Sequence, residues 1–130
     1  MKRGLLDSMA DVKILLVDDE ENILNIFRMV LESNGYKVDT ASTAAEALEK
    51  ARSTTYQVCL LDINLPDMHG TELLKLMQQV DPSMKKLMVT GDWSPRDVEL
   101  ARKNGADEFV AKPLSKAALL EAVESVLRPT

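Results

Sequence analysis

The chain has little of several residue types, and each shortage excludes a class of function. One cysteine and one histidine, Cys59 and His69, occur among the 130 residues. A single cysteine cannot form an internal disulfide, and this pair cannot supply the usual ligand set of a zinc site. No apolar run approaches the ~20 residues needed to cross a bilayer, and residues 1–6 have too short an apolar core for a signal peptide. These shortages predict a soluble protein of the cytoplasm with no membrane partner.

Basic residues are also in the minority. The chain carries 21 acidic and 16 basic side chains, a net charge of −5, which argues against direct binding to nucleic acid. Hydrophobic residues make up 45% of the sequence, which is ordinary for a soluble globular protein and enough for one domain with a real core. Residues 1–11 show no hydrophobic period. We therefore predict an N-terminal tail over residues 1–11 and a single domain over residues 12–128.

Short apolar runs alternate with amphipathic segments from residue 12 onward. The apolar runs predict strands over residues 12–17, 58–62, 86–90 and 108–111, and the alternating residues 36–40 predict a short strand nearer the edge of the sheet. The amphipathic segments, with Ser, Thr, Pro and Gly at their ends, predict helices over residues 21–34, 44–52, 70–80, 95–104 and 116–127. This alternation predicts an α/β fold in which helices cover both faces of a parallel sheet through right-handed crossovers.

Polar side chains stand at the ends of four predicted strands, namely Asp18 with Asp19, Asp62, Thr90 and Lys112. The carboxyl ends of parallel strands share one edge, where open α/β sheets bind ligands. Three carboxylates at one place would repel each other without a cation, and an all-oxygen site with room for water suits Mg²⁺. A carboxylate beside Mg²⁺ and a lysine is a plausible nucleophile for a phosphoryl group. The Thr90 hydroxyl and Lys112 would contact the oxygens of that group.

Each of these residues, taken alone, has a simpler interpretation. Asp19 could cap the helix that follows it, Thr90 could be a strand-end hydroxyl, and Lys112 could be a solvated charge. Agreement among four strand ends favours a functional site over these separate explanations. For the two residue types that occur once, the simple interpretation stands: His69 is predicted to be a solvated loop residue and Cys59 a small hydrophobic residue of the core.

Four sequence blocks, LLVDDE, LLDINLPDMHG, MVTGD and GADEFVAKP, match in order and spacing those of the receiver (CheY-like) domains of two-component response regulators. The chain resembles that family over residues 12–128. The resemblance implies a flavodoxin-like three-layer sandwich of five βα units with strand order 2-1-3-4-5. It also implies a signalling module that assists only its own phosphorylation and autodephosphorylation, and is not otherwise an enzyme.

The same resemblance implies the chemistry of the site. Asp62 would accept a phosphoryl group from a phosphohistidine of a sensor histidine kinase or phosphotransfer protein, in a Mg²⁺-dependent reaction. Thr90 and Lys112 would contact the phosphoryl oxygens. The implied Mg²⁺ ligands are Asp18 (largely through water), Asp19, Asp62 and the backbone carbonyl of Asn64.

Further roles follow from the resemblance. Thr90 and Phe109 would form the switch, because the aromatic ring turns inward when Thr90 moves toward the phosphate. Asn64 and Asp92 would tune autodephosphorylation. The residues implied to shape turns are Pro66, Gly70 and Pro113, and the Lys112–Pro113 peptide is expected to be cis.

A partner surface and two departures complete the resemblance. Receivers use the helix 4–strand 5–helix 5 face for a downstream partner or a homodimer, and Leu100 would belong to it if exposed. Phe109 lacks the hydroxyl of the tyrosine that is frequent in the family, and Leu114 stands where phenylalanine is common. The first departure removes any hydrogen bond made by that hydroxyl, and the second concerns packing.

Three alternatives remain. A phosphatase of the haloacid dehalogenase type also uses a strand-end aspartate, but that family has a second aspartate two residues later, where this chain has Asn64. A nucleotide- or flavin-binding module would need a glycine-rich phosphate loop after the first strand, where this chain has Asp18 and Asp19. In a receiver with vestigial phosphorylation the matching residues would be lost, and here they are intact.

Overall fold

The computed structural model describes residues 12–92 and 94–128, so the predicted tail over residues 1–11 lies outside the described part. The strands are β1 (Lys13–Val17), β2 (Lys37–Ala41), β3 (Val58–Leu61), β4 (Lys85–Thr90) and β5 (Glu108–Ala111). The helices are α1 (Glu21–Ser33), α2 (Ala44–Ser53), α3 (Gly70–Val80), α4 (Pro95–Lys103) and α5 (Lys116–Leu127). The predicted alternation is confirmed, and the bounds differ mainly by a residue at the element ends.

The strands form one parallel sheet in the order β2-β1-β3-β4-β5. This confirms the α/β fold and the strand order that the family resemblance implies. The chain moves from β1 outward to β2 and then returns to the other side of β1 to form β3. The order therefore reverses between β1 and β3, and such a reversal opens a crevice at the carboxyl ends of the two strands.

Alternate residues of the strands face two apolar layers. Leu15 and Cys59 belong to the layer under α2, α3 and α4, and Leu16 and Leu60 belong to the layer under α1 and α5. Each of these four side chains is almost fully buried. As predicted, Cys59 is a core residue, and burial raises the pKa of its thiol. The thiol therefore stays protonated at neutral pH and is not a nucleophile.

Lys86 is a fully buried lysine that the strand pattern did not single out. Its Nζ donates hydrogen bonds to the backbone carbonyls of Asp81 and Met84, where the chain leaves α3. Burial lowers the pKa of Lys86, and the nearby Asp107 carboxylate opposes that effect. The side chain thus satisfies carbonyl groups beyond a helix end, at the sheet edge opposite the polar strand ends.

Most predicted helix ends are confirmed, with one correction and one unpredicted cap. Ser94 and Ser115 cap α4 and α5, and Thr43 caps α2 by accepting the N–H of Glu46. Glu46, three residues after Thr43, also predicts a capping box in which its carboxylate accepts the N–H of Thr43. The Glu46 carboxylate accepts the N–H of Ser42 instead, so this prediction is wrong in that detail. His69 is an exposed residue before α3, as predicted, and it is also the N-cap of that helix.

The imidazole ring of His69 makes the cap of α3 through a hydrogen bond. Nδ1 of His69 accepts a hydrogen bond from the backbone N–H of Thr71. The imidazole nitrogen therefore takes the place of the side-chain oxygen that usually caps the start of a helix.

The expected cis peptide at Lys112–Pro113 is present. Within the described residues, no helix has both the length and the apolar character needed to cross a membrane.

Candidate functional site

Three carboxylates meet in the crevice between β1 and β3. Asp18 follows β1 directly and Asp62 follows β3 directly. One oxygen each from Asp18, Asp19 and Asp62 lies within 4.8 Å of the other two. Asp18 and Asp62 are 5% and 8% exposed, whereas Asp19 is exposed. Two carboxylates of the cluster are therefore buried at the ends of strands, and the third leaves the cluster open to solvent on one side.

Lys112 reaches this cluster from the end of β5. Its Nζ lies 2.6 Å from Oδ2 of Asp18 and 3.4 Å from Oδ2 of Asp62. Its backbone N–H bonds to the carbonyl of Thr90, which holds the end of β5 against β4. The lysine side chain is only 16% exposed. The interpretation of Lys112 as a solvated charge is therefore wrong, because it is the cation of a largely buried ion-pair cluster.

The charges of this cluster are not balanced. Burial raises the pKa of the Asp18 carboxyl above its usual range, although Lys112 and the N–H of Glu20 act to lower it. Burial acts to lower the pKa of Lys112, but the contacts of the ammonium group with Asp18 and Asp62 together outweigh burial and raise that pKa. The ion pair thus keeps Lys112 charged without fully compensating the burial of Asp18. Three carboxylates facing one ammonium group leave room for a further positive charge.

The simple interpretation of Asp19 as a helix cap is also wrong. Glu20 occupies the N-cap position of α1 and makes no side-chain capping bond. Asp18 instead accepts the backbone N–H of Glu20 through Oδ1, at 2.9 Å. The Asp19 carboxylate thus contributes to the acidic cluster rather than to the start of α1.

The loop between β3 and α3 is held tightly against the end of β3. Asn64 is exposed, and its backbone N–H approaches Oδ1 of Asp62 at 3.4 Å. It forms an isolated antiparallel bridge with His69. Gly70 then packs directly on the backbone, where a Cβ would lie 2.3 Å from the carbonyl oxygen of Asp62. Only glycine permits this approach, so the start of α3 fixes the position of Asp62.

Asp67 is a second anchor of the loop, and it was not among the residues predicted from the sequence. Its two carboxylate oxygens accept the backbone N–H groups of Ala44 and Ala45, at 2.8 and 3.0 Å. These are the first residues of α2, so the loop that follows Asp62 is tied to a neighbouring helix. The two hydrogen bonds lower the pKa of the Asp67 carboxyl. No local pattern predicts this contact, because its partners lie 23 and 22 residues away in sequence.

Substitution of Asp67 by asparagine is expected to lower the free energy of unfolding at neutral pH. The amide has one acceptor oxygen for two N–H groups and no charge for the helix N-terminus. Because folding lowers the pKa of this carboxyl below its ordinary 3.8, its stabilisation is present above that pH. It is lost as the pH falls through the folded-state value.

Urea unfolding of wild type and Asp67→Asn across the acid range checks this prediction. The difference between the two proteins should be constant near neutrality and shrink below about pH 4. Glu49→Gln is the control, because Glu49 is an exposed carboxylate later in the same helix. A difference that persists unchanged in acid would contradict the assignment of the effect to the ionised Asp67.

Thr90 is the last residue of β4, at the same sheet edge as the cluster, and Phe109 lies on β5 two residues further from that edge. Thr90 is 1% exposed, and its Oγ1 accepts the backbone N–H of the exposed Asp92 at 3.3 Å. Phe109 is half-buried and packs against the layer under α2, α3 and α4. The guanidinium carbon of Arg102, in α4, lies 4.7 Å from the centroid of the Phe109 ring. Thr90 and Phe109 match the switch residues that the family resemblance implies, whereas no sequence pattern points to Arg102.

Comparisons with known proteins identify the family of the chain. A family model described as the response regulator receiver domain matches residues 14–124. The chain is 38% identical over 116 residues to the alkaline phosphatase synthesis transcriptional regulatory protein PhoP of Bacillus subtilis, covering 89% of this chain and 48% of that protein. The chain thus spans about half the length of that relative.

Two solved structures are similar throughout the fold. A CheY-like receiver domain protein from Methanospirillum hungatei is 41% identical with a TM-score of 0.86, over 88% of this chain and 91% of that one. A response regulator from Burkholderia pseudomallei, solved with a phosphorylated aspartic acid, a calcium ion and citrate, is 30% identical with a TM-score of 0.82. That match covers 86% of this chain and 66% of the other. By its fold, by the family model that spans most of its length and by these relatives, the chain belongs to the response regulator receiver family.

Proposed function

We propose that this receiver domain takes a phosphoryl group onto Asp62 and relays its phosphorylation state to a partner. The observation that carries the proposal is the position of Asp62 within the charged cluster. Its carboxylate is grouped with those of Asp18 and Asp19, and one of its oxygens lies 3.4 Å from Nζ of Lys112. A nucleophilic oxygen so placed has positive charge beside the position that the phosphoryl oxygens would occupy.

The donor set fits Mg²⁺. Asp18, Asp19 and Asp62 offer carboxylate oxygens, and we assign the fourth protein ligand to the backbone carbonyl of Asn64. Hard oxygen donors with an open side for water suit this ion. When bound, Mg²⁺ would supply the positive charge that Lys112 alone does not provide and would offset the negative charge of the phosphoryl group. The bound calcium ion and phosphorylated aspartic acid of the Burkholderia pseudomallei relative support this assignment.

The transfer itself needs a nucleophile and groups that hold the phosphoryl oxygens. An oxygen of Asp62 attacks phosphorus, and the bond from phosphorus to the histidine nitrogen of the donor breaks as the new P–O bond forms. Lys112 is already beside Asp62 and would pair with a phosphoryl oxygen. The Thr90 hydroxyl now accepts a hydrogen bond from Asp92, which leaves its own proton available for donation. Asn64 and Asp92 are both exposed, and we propose that they tune hydrolysis of the phosphorylated form.

Phosphorylation of Asp62 would act as a switch. The added negative charge draws Thr90 and its loop toward the phosphoryl group. The Phe109 ring then turns into the space that Thr90 leaves, and the α4–β5–α5 face changes its affinity for a partner. Leu100, on α4, is 39% exposed and belongs to that face. The phosphodonor would be a sensor histidine kinase or phosphotransfer protein, and the face would receive a downstream protein or a second copy of this chain.

Beryllofluoride, which mimics a phosphoryl group on a carboxylate, tests the proposal. We expect Mg²⁺ and beryllofluoride together to change the fluorescence of Trp93, the single tryptophan. Mg²⁺ alone or beryllofluoride alone should not produce the full fluorescence change. The Asp62→Ala variant should show no change when the two are added together. Circular dichroism shows whether that variant is folded. If the intact protein showed no Mg²⁺-dependent change in fluorescence with beryllofluoride, the proposal would be wrong.

A further inference from the structure

We infer that Arg102 is a positioning residue of the switch: by stacking on Phe109 it holds the ring away from Thr90 and favours the unphosphorylated state. This inference rests on the proposed function. It concerns regulation of the same site, by a residue that lies in α4 and not among the residues of the charged cluster. The observation behind it is the 4.7 Å distance between the guanidinium carbon and the centroid of the ring.

Strand register places Phe109 between Arg102 and the site. Thr90 pairs with Ala111 at the site edge, and Phe109 pairs with Met88, two residues further from that edge. Helix α4 starts beside the site edge, with its N-cap at Ser94, and runs back toward the start of β5. Arg102 lies in its last turn. Along β5, Thr90 therefore lies toward the carboxyl end from Phe109, whereas Arg102 lies in the helix turn that precedes the start of β5.

The ring cannot contact both neighbours in the same way. When it lies beneath the guanidinium group, its face is occupied by the cation, and turning toward Thr90 removes it from that position. Phe109 has no hydroxyl that could fix its orientation through a hydrogen bond, so contacts of the ring itself decide between the two orientations. An exposed cation–π contact shifts such an equilibrium by about 2- to 5-fold. Arg102 therefore lowers the population of the ring orientation that faces Thr90 by that factor.

A competing explanation is that Arg102 serves only its own helix. Basic side chains in the last turn interact favourably with the helix dipole, and Arg102 and Lys103 both lie in the last turn of α4. The two are exposed neighbours of the same charge, but the ring contact belongs to Arg102. Lys103 is therefore a matched control: glutamine at either position removes one positive charge from the same turn and keeps a good helix-forming residue.

The experiment is a titration with beryllofluoride at saturating Mg²⁺, followed by Trp93 fluorescence, on wild type, Arg102→Gln, Lys103→Gln and Arg102→Lys. Because apparent affinity scales with the population of the competent state, Arg102→Gln should lower the midpoint concentration about 2- to 5-fold. Lys103→Gln should leave the midpoint unchanged, and Arg102→Lys, which keeps a cation, should fall between wild type and Arg102→Gln. Mg²⁺ affinity without beryllofluoride should be the same in all four proteins.

A double-mutant cycle tests whether the effect passes through the ring. In the Phe109→Leu background, which lacks the aromatic face, Arg102→Gln should no longer shift the midpoint. An unchanged midpoint in Arg102→Gln, an equal shift in Lys103→Gln, or a shift that survives in Phe109→Leu would each overturn the inference. A wild-type protein that does not respond to beryllofluoride at all would instead overturn the proposed function, and this inference with it.

Discussion

Replacing Gly70 with alanine is expected to lower the free energy of unfolding by about 3 kcal/mol and to displace Asp62. An added Cβ would lie 2.3 Å from the carbonyl oxygen of Asp62 and 2.6 Å from Cα of Ile63. Both atoms belong to the backbone and cannot swing aside as a side chain can. The helix start must therefore move away from the end of β3. Urea unfolding measures the loss, and weaker Mg²⁺ binding would report the displacement of Asp62.

Gly91 provides the control, because it lies in the loop after β4 on the same edge of the sheet. A Cβ there would meet Lys112 at 3.4 Å, which is ordinary contact. We therefore expect Gly91→Ala to change the free energy of unfolding by less than about 1 kcal/mol. Equal small losses in the two variants would contradict the tight packing of α3 on Asp62.

Lys112→Met is expected to have opposite effects on stability and on metal affinity. Without the ammonium group, the nearly buried Asp18 and Asp62 lose the cation that lies 2.6 and 3.4 Å away, so the metal-free protein should lose about 2 kcal/mol. The same change removes a positive charge that competes with a cation for these oxygens. Mg²⁺ should therefore bind several-fold more tightly and restore most of the lost stability.

Thermal unfolding and Mg²⁺ titration of Lys112→Met, with Lys116→Met as control, check both effects. Lys116 is an exposed lysine at the start of α5, so its substitution should leave stability and affinity nearly unchanged. The beryllofluoride response should be lost in Lys112→Met alone, because no cation remains to pair with the fluoride atoms. Weaker Mg²⁺ binding in Lys112→Met would show that the lysine does not compete with the ion.

The fold was predictable because its determinants are local. The apolar run of β3 predicts a strand with both faces buried, and Ser94 followed by Pro95 predicts the start of α4 from adjacent residues. The grouping of the polar strand ends could also be predicted, since parallel strands bring their carboxyl ends to one edge of the sheet. The geometry that brings Asp18 and Asp62 within reach of Lys112 follows from the strand order, which came from resemblance and not from the alternation of elements.

The residues that the sequence did not reveal act through distant contacts. Asp67 binds the start of α2, Arg102 stacks on a residue of the next strand, and Lys86 is buried although its residue type is usually exposed. His69 was interpreted as a loop residue because histidine is not a usual cap. In each case the role of the side chain depends on the backbone group or ring that it contacts. That contact is determined only when the helices pack on the sheet.

Covalent trapping of the phosphoryl group tests the central claim most directly. The protein is incubated with acetyl phosphate and Mg²⁺ and then treated with borohydride, which reduces an acyl phosphate to an alcohol but leaves a free carboxylate intact. Peptide mass analysis then identifies the modified residue. Reduction is expected at Asp62 alone, and no reduction is expected when Mg²⁺ is chelated. Modification at Asp18, Asp19 or another residue, or no modification of the intact protein, would contradict it.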